Sequence, residues 1–119
     1  MVIETGRGVM RMLWLLLLMS LLGPVAASAQ SDVARGAKVY AEQKCTVCHA
    51  IAGKGNPKGP LDDAGARLSA EEIRLWIVDP VAMTTKTKAA RKPPMKAYAS
   101  LPKDELDALV AYVQSLKKK

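Results

Sequence analysis

The sequence has no Phe, and aromatic residues fill only 4% of its 119 positions. Aromatic side chains dominate the energetics of ordinary cores, so a core built around Phe is excluded. The chain holds two Cys and one His. Two Cys form at most one bridge, which excludes a disulfide-rich scaffold. With a single His they fall one ligand short of a four-ligand Cys/His zinc site. A chain this short excludes a multi-domain enzyme. Alternating polar and apolar runs of convincing length are also missing, so the expected fold class is all-α. No internal repeat appears, and no low-complexity tract beyond Lys117-Lys118-Lys119.

What the sequence does have is concentrated. Half of its residues are hydrophobic, and residues Met12 to Leu22 are almost purely apolar. Arg7 and Arg11 precede this run, Gly23-Pro24 break it, and Ala27-Ser28-Ala29 supplies the small-x-small pattern of signal peptidase cleavage. The expected organisation is a secretory signal peptide over residues 1–29 and one domain over residues 30–119. The two Arg are not adjacent, which points away from twin-Arg export. The alternative is an uncleaved anchor, since Met12 to Ala29 spans 18 residues, near the lower limit for crossing a bilayer. Either way the domain works outside the cytoplasmic membrane, and the periplasm is the expected location.

The sequence Cys45-Thr46-Val47-Cys48-His49 is a C-x-x-C-H pentapeptide. Its parts suit covalent haem attachment. The two thiols add to the two vinyl groups of a porphyrin, and a two-residue spacer lets one helical turn present both sulfurs to one ring edge. The adjacent His then reaches the iron. The competing readings are a thioredoxin-like redox pair, a structural disulfide and a chance match. The first needs a larger α/β context, and the second closes a very small, strained loop. One haem c, attached through Cys45 and Cys48, is the expected cofactor.

His49 is the only His, so bis-histidine ligation within one chain is impossible. Past the apolar leader only Met83 and Met95 offer thioethers. Met95 follows Lys92-Pro93-Pro94, where two prolines fix φ and bias their neighbours toward extended geometry. That stiff loop suits a side chain held against a metal, and a soft thioether favours ferrous iron. Met83 follows Asp79-Pro80 without such stiffening and reads as a core-filling or loop residue. Met95 is therefore the expected second ligand, with Lys92 and Lys96 as minor alternatives.

Three helices are expected around these loops. Ser31 or Asp32 caps the first, over Val33 to Lys44, with Val33, Gly36, Ala37, Tyr40 and Ala41 on one face. Ser69 and Glu72 form a capping box for the second; Ile73, Trp76 and Ile77 make its apolar face, and Asp79-Pro80 ends it. The third begins near Pro102, with Leu106, Leu109, Val110, Val113 and Leu116 at helical spacing. Residues Gly53 to Pro60 and Thr84 to Tyr98 are expected as loops.

With these features in place, the sequence resembles a small class I cytochrome c of the bacterial monohaem kind. The resemblance runs from about Asp32 to Leu116. Its carriers are Gly36 and Tyr40, the Cys45–His49 pentapeptide, Gly59-Pro60-Leu61, Ile73 to Ile77 with Asp79-Pro80, Met95 with Tyr98, and Leu106 to Tyr112 with Leu116. It implies three main helices and long loops wrapped around one covalent haem. It also implies that the Pro60 carbonyl accepts a hydrogen bond from His49, orienting the ring. Gly36 and Tyr40 would cross the last helix near Leu109, Tyr112 and Val113. Trp76 would sit against the haem, as a propionate donor or as a core aromatic, and Arg67 and Tyr98 are further propionate candidates. Here Lys96 follows Met95, where many relatives place Pro.

The net charge is +7. Lys86, Lys88, Arg91, Lys92 and Lys96 cluster without an acid, and Lys44, Lys54 and Lys58 surround the pentapeptide. A basic rim around an exposed haem edge would steer the domain to acidic patches on redox partners, at rates that fall with salt. The alternative is a cluster that serves solubility alone. Nucleic acid is not an expected partner; peripheral contact with anionic membrane is compatible with the terminal Lys triplet. The expected function is a monomeric electron carrier rather than an enzyme. The alternatives are a haem subunit of a larger respiratory complex, or a sensor of NO or CO if Met95 is labile.

Overall fold

The computed structural model describes residues 25–118, so the basic start, the apolar run and Gly23-Pro24 lie outside the described residues. Helix α1 is Val25–Glu42, a 3-10 turn covers Cys45–Val47, and strands β1 (Ala50–Ile51) and β2 (Lys54–Gly55) pair antiparallel. Helices α2 (Ala64–Arg67), α3 (Ala70–Val78), α4 (Pro80–Thr87) and α5 (Lys103–Ser115) follow. The fold is all-α apart from that two-residue-per-strand hairpin.

Helix α1 starts eight residues before the expected Val33 and is not capped by Ser31 or Asp32. The Ser31 hydroxyl instead donates back to the Ser28 carbonyl at 2.7 Å, inside the helix. Ala27, Ala29 and Gln30 are good helix formers, and they carry the helix through the expected cap. The helix stops two residues early, because Lys44 takes a left-handed conformation with φ 55°. The inward face also differs by one position: Val39 is buried and Ala41 is exposed.

Ser69 caps α3 as expected. Its hydroxyl accepts from the Glu72 N–H at 3.2 Å, and the Glu72 carboxylate accepts from the Ser69 N–H at 2.9 Å. Those bonds hold the Glu72 carboxyl below its ordinary pKa. Removing the hydroxyl strands an N–H of the first turn. Ser69→Ala is expected to cost about 1 kcal/mol and to lower the thermal midpoint by about 4–8 °C, read from the loss of helical circular dichroism.

Asp79-Pro80 does end α3, but the chain begins a new helix there rather than a loop. The Asp79 carboxylate accepts from the Ala82 N–H at 3.1 Å, and Pro80 takes the first helical position, where its missing N–H is harmless. The second long loop therefore starts after Thr87, not at Thr84.

The core forms where α1, α3 and α5 meet. Val39, Tyr40, Ile73, Ile77, Leu109, Val110 and Val113 are all buried. Gly36 lies against Ala108 and Tyr112 of α5, and the Tyr40 and Tyr112 rings meet edge to face at 5.7 Å. Arg74 of α3 pairs with Asp107 of α5 at 2.5 Å, and Arg35 of α1 pairs with Asp104. The first pair is half-buried and the second exposed, so they orient the helices more than they stabilise them.

Candidate functional site

The helices leave a cavity of about 470 Å³ between the core, the turn at Cys45–His49 and the segment after α4. That size suits a small-molecule or cofactor site. Cys45, Cys48, His49 and Met95 all lie on its wall.

The first three are positioned by local geometry. The 3-10 turn closes through the Cys48 N–H to the Cys45 carbonyl at 3.1 Å, and the His49 N–H reaches the same carbonyl at 2.9 Å. Both thiols are free. Burial pushes the Cys45 thiol up to about 11. A redox-active C-x-x-C depends on a lowered pKa at its attacking thiol, and burial moves Cys45 the opposite way.

Among the described residues, the His49 ring makes one hydrogen-bond contact. Its Nδ1 lies 3.1 Å from the Gly59 carbonyl. An Nδ1–H donated there leaves Nε2 with a free lone pair, the arrangement of a metal-ligating His. Burial pulls the His49 pKa down, with the Gly59 hydrogen bond opposing it.

The acceptor is Gly59 and not Pro60. The chain runs antiparallel through the hairpin and returns to form a parallel bridge between Ala50 and Pro60. In that bridge the Ala50 N–H donates to the Gly59 carbonyl at 3.0 Å, and the Leu61 N–H to the Ala50 carbonyl at 2.9 Å. This aims the Gly59 carbonyl at residues 49–50, while Pro60 itself is exposed and off the cavity wall.

Met95 arrives on the segment after α4 and packs against the core cluster as it lines the cavity. Met83 is only 3% exposed, within α4, and is not on the cavity wall. Trp76 and Tyr98 line the cavity half-buried, and the exposed Arg67 lies at its lining too. Arg67 is committed to Asp63 at 2.8 Å. Tyr98 reaches the Gln43 carbonyl at 3.5 Å.

Two wall residues were given other roles in the sequence analysis. Arg91 donates from its guanidinium to the Cys48 carbonyl at 2.5 Å. Tyr40 was assigned to the helix crossing, yet its hydroxyl is buried on the cavity wall without a hydrogen-bond partner among the described residues. Burial raises its pKa to about 12. A buried hydroxyl left unpaired is costly, which fits a cavity shaped for an occupant. The signal for Arg91 was its place between the pentapeptide's basic neighbours and Met95; its partner lies 43 residues away and carries no sequence pattern.

The cytochrome c family model matches residues 33–117. The chain belongs to the cytochrome c family. That membership accounts for the cavity: the family's haem c is bound covalently, and Cys45 and Cys48 are its attachment points on this cytochrome c domain. The free thiols, the free Nε2 of His49 and the apolar cavity fit that group. The chain is also 30% identical over 92 residues to cytochrome c oxidase subunit 2 of Alkalihalophilus pseudofirmus. The match covers 70% of this chain and 25% of that protein. No solved structure matches the chain.

Proposed function

We propose that this cytochrome c domain is a one-electron carrier whose iron is held by His49 and Met95. One observation carries the reading: Cys45, Cys48, His49 and Met95 all line one cavity, and the Nδ1 side of His49 faces the Gly59 carbonyl. Bound haem c supplies a one-electron ferric–ferrous couple. His49 donates through a neutral ring fixed by the Gly59 carbonyl. Met95, on the segment after α4, would hold the iron with a soft thioether, which favours the reduced state. With His49 and Met95 both holding the iron, the group would serve electron transfer rather than substrate binding.

Lys44, Lys54, Lys58, Lys86, Lys88, Lys92 and Lys96 are all exposed. The salt bridges among the described residues use Arg35, Lys38, Arg67, Arg74 and Lys103 instead. Unneutralised cations steer the domain to acidic docking patches in brief encounters. The same reading puts the working domain in the periplasm after cleavage following Ala29. No helix among the described residues is long and apolar enough to cross a membrane, and Ala27 to Ala29 are exposed at the start of α1.

A second reading follows from the likeness to an oxidase subunit: the domain delivers electrons as a haem-bearing component of a terminal oxidase. Purification separates the two. A free carrier is recovered in the soluble exported fraction, at the mass of residues 30–119 plus one haem; an oxidase component is recovered with the membrane complex. The coordination itself is tested on the oxidised and reduced holoprotein. The oxidised form is expected to show the weak near-infrared sulfur-to-iron band, and the reduced form to bind CO slowly. Absence of the band refutes methionine ligation, and rapid CO binding favours a sensor of small ligands.

A further inference from the structure

We propose that Arg91 is a positioning residue for Met95, a strut from the methionine segment to the haem-attachment turn. The inference rests on the reading that Met95 is the iron ligand. It starts from a shortage of hydrogen bonds. Residues 89–97 make no backbone–backbone hydrogen bond among the described residues. Pro93 and Pro94 have no N–H to give. The segment is re-anchored only at Tyr98, whose N–H donates to the Ile77 carbonyl at 2.8 Å. Upstream of Met95 the tie is a single side chain: the Arg91 guanidinium on the Cys48 carbonyl.

The site is shaped for that side chain. A Cβ on Gly59 would lie 2.1 Å from Arg91 Nη1 and 2.3 Å from the Cys48 oxygen. Gly59 thus leaves room for the guanidinium to reach a carbonyl within the pentapeptide. Arg91 also lines the cavity. A charge-assisted bond of this kind is stronger than a neutral one, and the two prolines transmit its constraint along a stiff segment to Met95. Without it the segment is held only by the Tyr98 anchor and by packing, and the thioether leaves the metal more often.

The test compares Arg91→Ala, Arg91→Lys and the charge control Lys38→Ala as haem-loaded proteins. Lys38 pairs with Glu42 on α1 and touches neither the cavity wall nor the methionine segment. Three quantities are read: the CO binding rate of the reduced form, the pH at which the oxidised form loses its sulfur-to-iron band, and the thermal midpoint. Arg91→Ala is expected to bind CO about tenfold faster and to lose the band about one pH unit lower. Arg91→Lys, which keeps a cationic donor, is expected to recover part of both changes. Lys38→Ala is expected to match wild type. Arg91→Ala matching wild type in CO rate and band overturns the proposal, even if its thermal midpoint falls. Equal changes in Arg91→Ala and Lys38→Ala overturn it as well, since net charge would then be the cause. A wild-type protein without the band overturns the methionine assignment itself, and that result is seen before any variant is compared.

Discussion

Met95→Ala is expected to abolish the sulfur-to-iron band and to lower the reduction potential by about 100 mV or more. The size follows from linkage. For a one-electron couple, each tenfold difference in ligand affinity between the two oxidation states is worth about 59 mV. A thioether is soft and binds ferrous iron better than ferric iron. Its removal therefore relatively stabilises the ferric form. A preference of somewhat under a hundredfold already gives about 100 mV, a small part of the roughly 0.8 V that axial ligands span. The vacated position also opens the reduced protein to CO.

Met83→Ala is the matched comparison. Met83 is 3% exposed within α4 and away from the cavity wall. Truncating it leaves a void in the packing, at a cost of about 2–5 kcal/mol, while the band and the potential stay close to wild type. One methionine thus moves the potential and the other the thermal midpoint. The reverse result would transfer the ligand role to Met83.

The parts of this site that the sequence exposed are those encoded over a few residues. Cys45, Cys48 and His49 lie within one turn, and their spacing alone determines what they can attach to. Ser69 and Glu72 are legible for the same reason, because both hydrogen bonds of the capping box form within one turn. The periodic apolar positions of α5 mark its buried face. Met95, singled out through the prolines that act on its backbone locally, does line the cavity.

The misread parts depend on chain distant in sequence or on a residue with two uses. Gly59 replaces Pro60 as the partner of His49 because the Ala50–Pro60 bridge turns a carbonyl that no local pattern marks. Asp79-Pro80 is a stop for α3 and also a start for α4, since an Asp cap and a leading Pro suit a helix beginning equally well. Ser31 had the chemistry of a cap, but its hydroxyl is satisfied by the Ser28 carbonyl within a helix that continues past it. Val39 and Ala41 exchange their expected roles because the partner helix α5, and not propensity, chooses the buried stripe of α1.

That helix crossing yields the last expected result. Gly36→Ala is expected to lower the thermal midpoint by about 10 °C or more, although Ala ordinarily stabilises a helix by about 1 kcal/mol over Gly. The added Cβ would fall 2.0 Å from the Ala108 carbonyl oxygen and 2.6 Å from the Tyr112 Cβ. Neither atom is the free end of a flexible side chain, so relief requires moving α5 away from α1. Overpacking of this kind costs about 1–3 kcal/mol and sometimes more, and in a domain of this size each kcal/mol is worth about 4–8 °C. The displacement spreads to the site, because Tyr40, Leu109 and Val113 line the cavity beside the same crossing. Gly36→Ala is therefore expected to reduce haem retention during thermal unfolding together with helicity. Thermal scans that follow circular dichroism and haem absorbance on one sample check this. A variant as stable as wild type would show that α1 and α5 do not meet at Gly36.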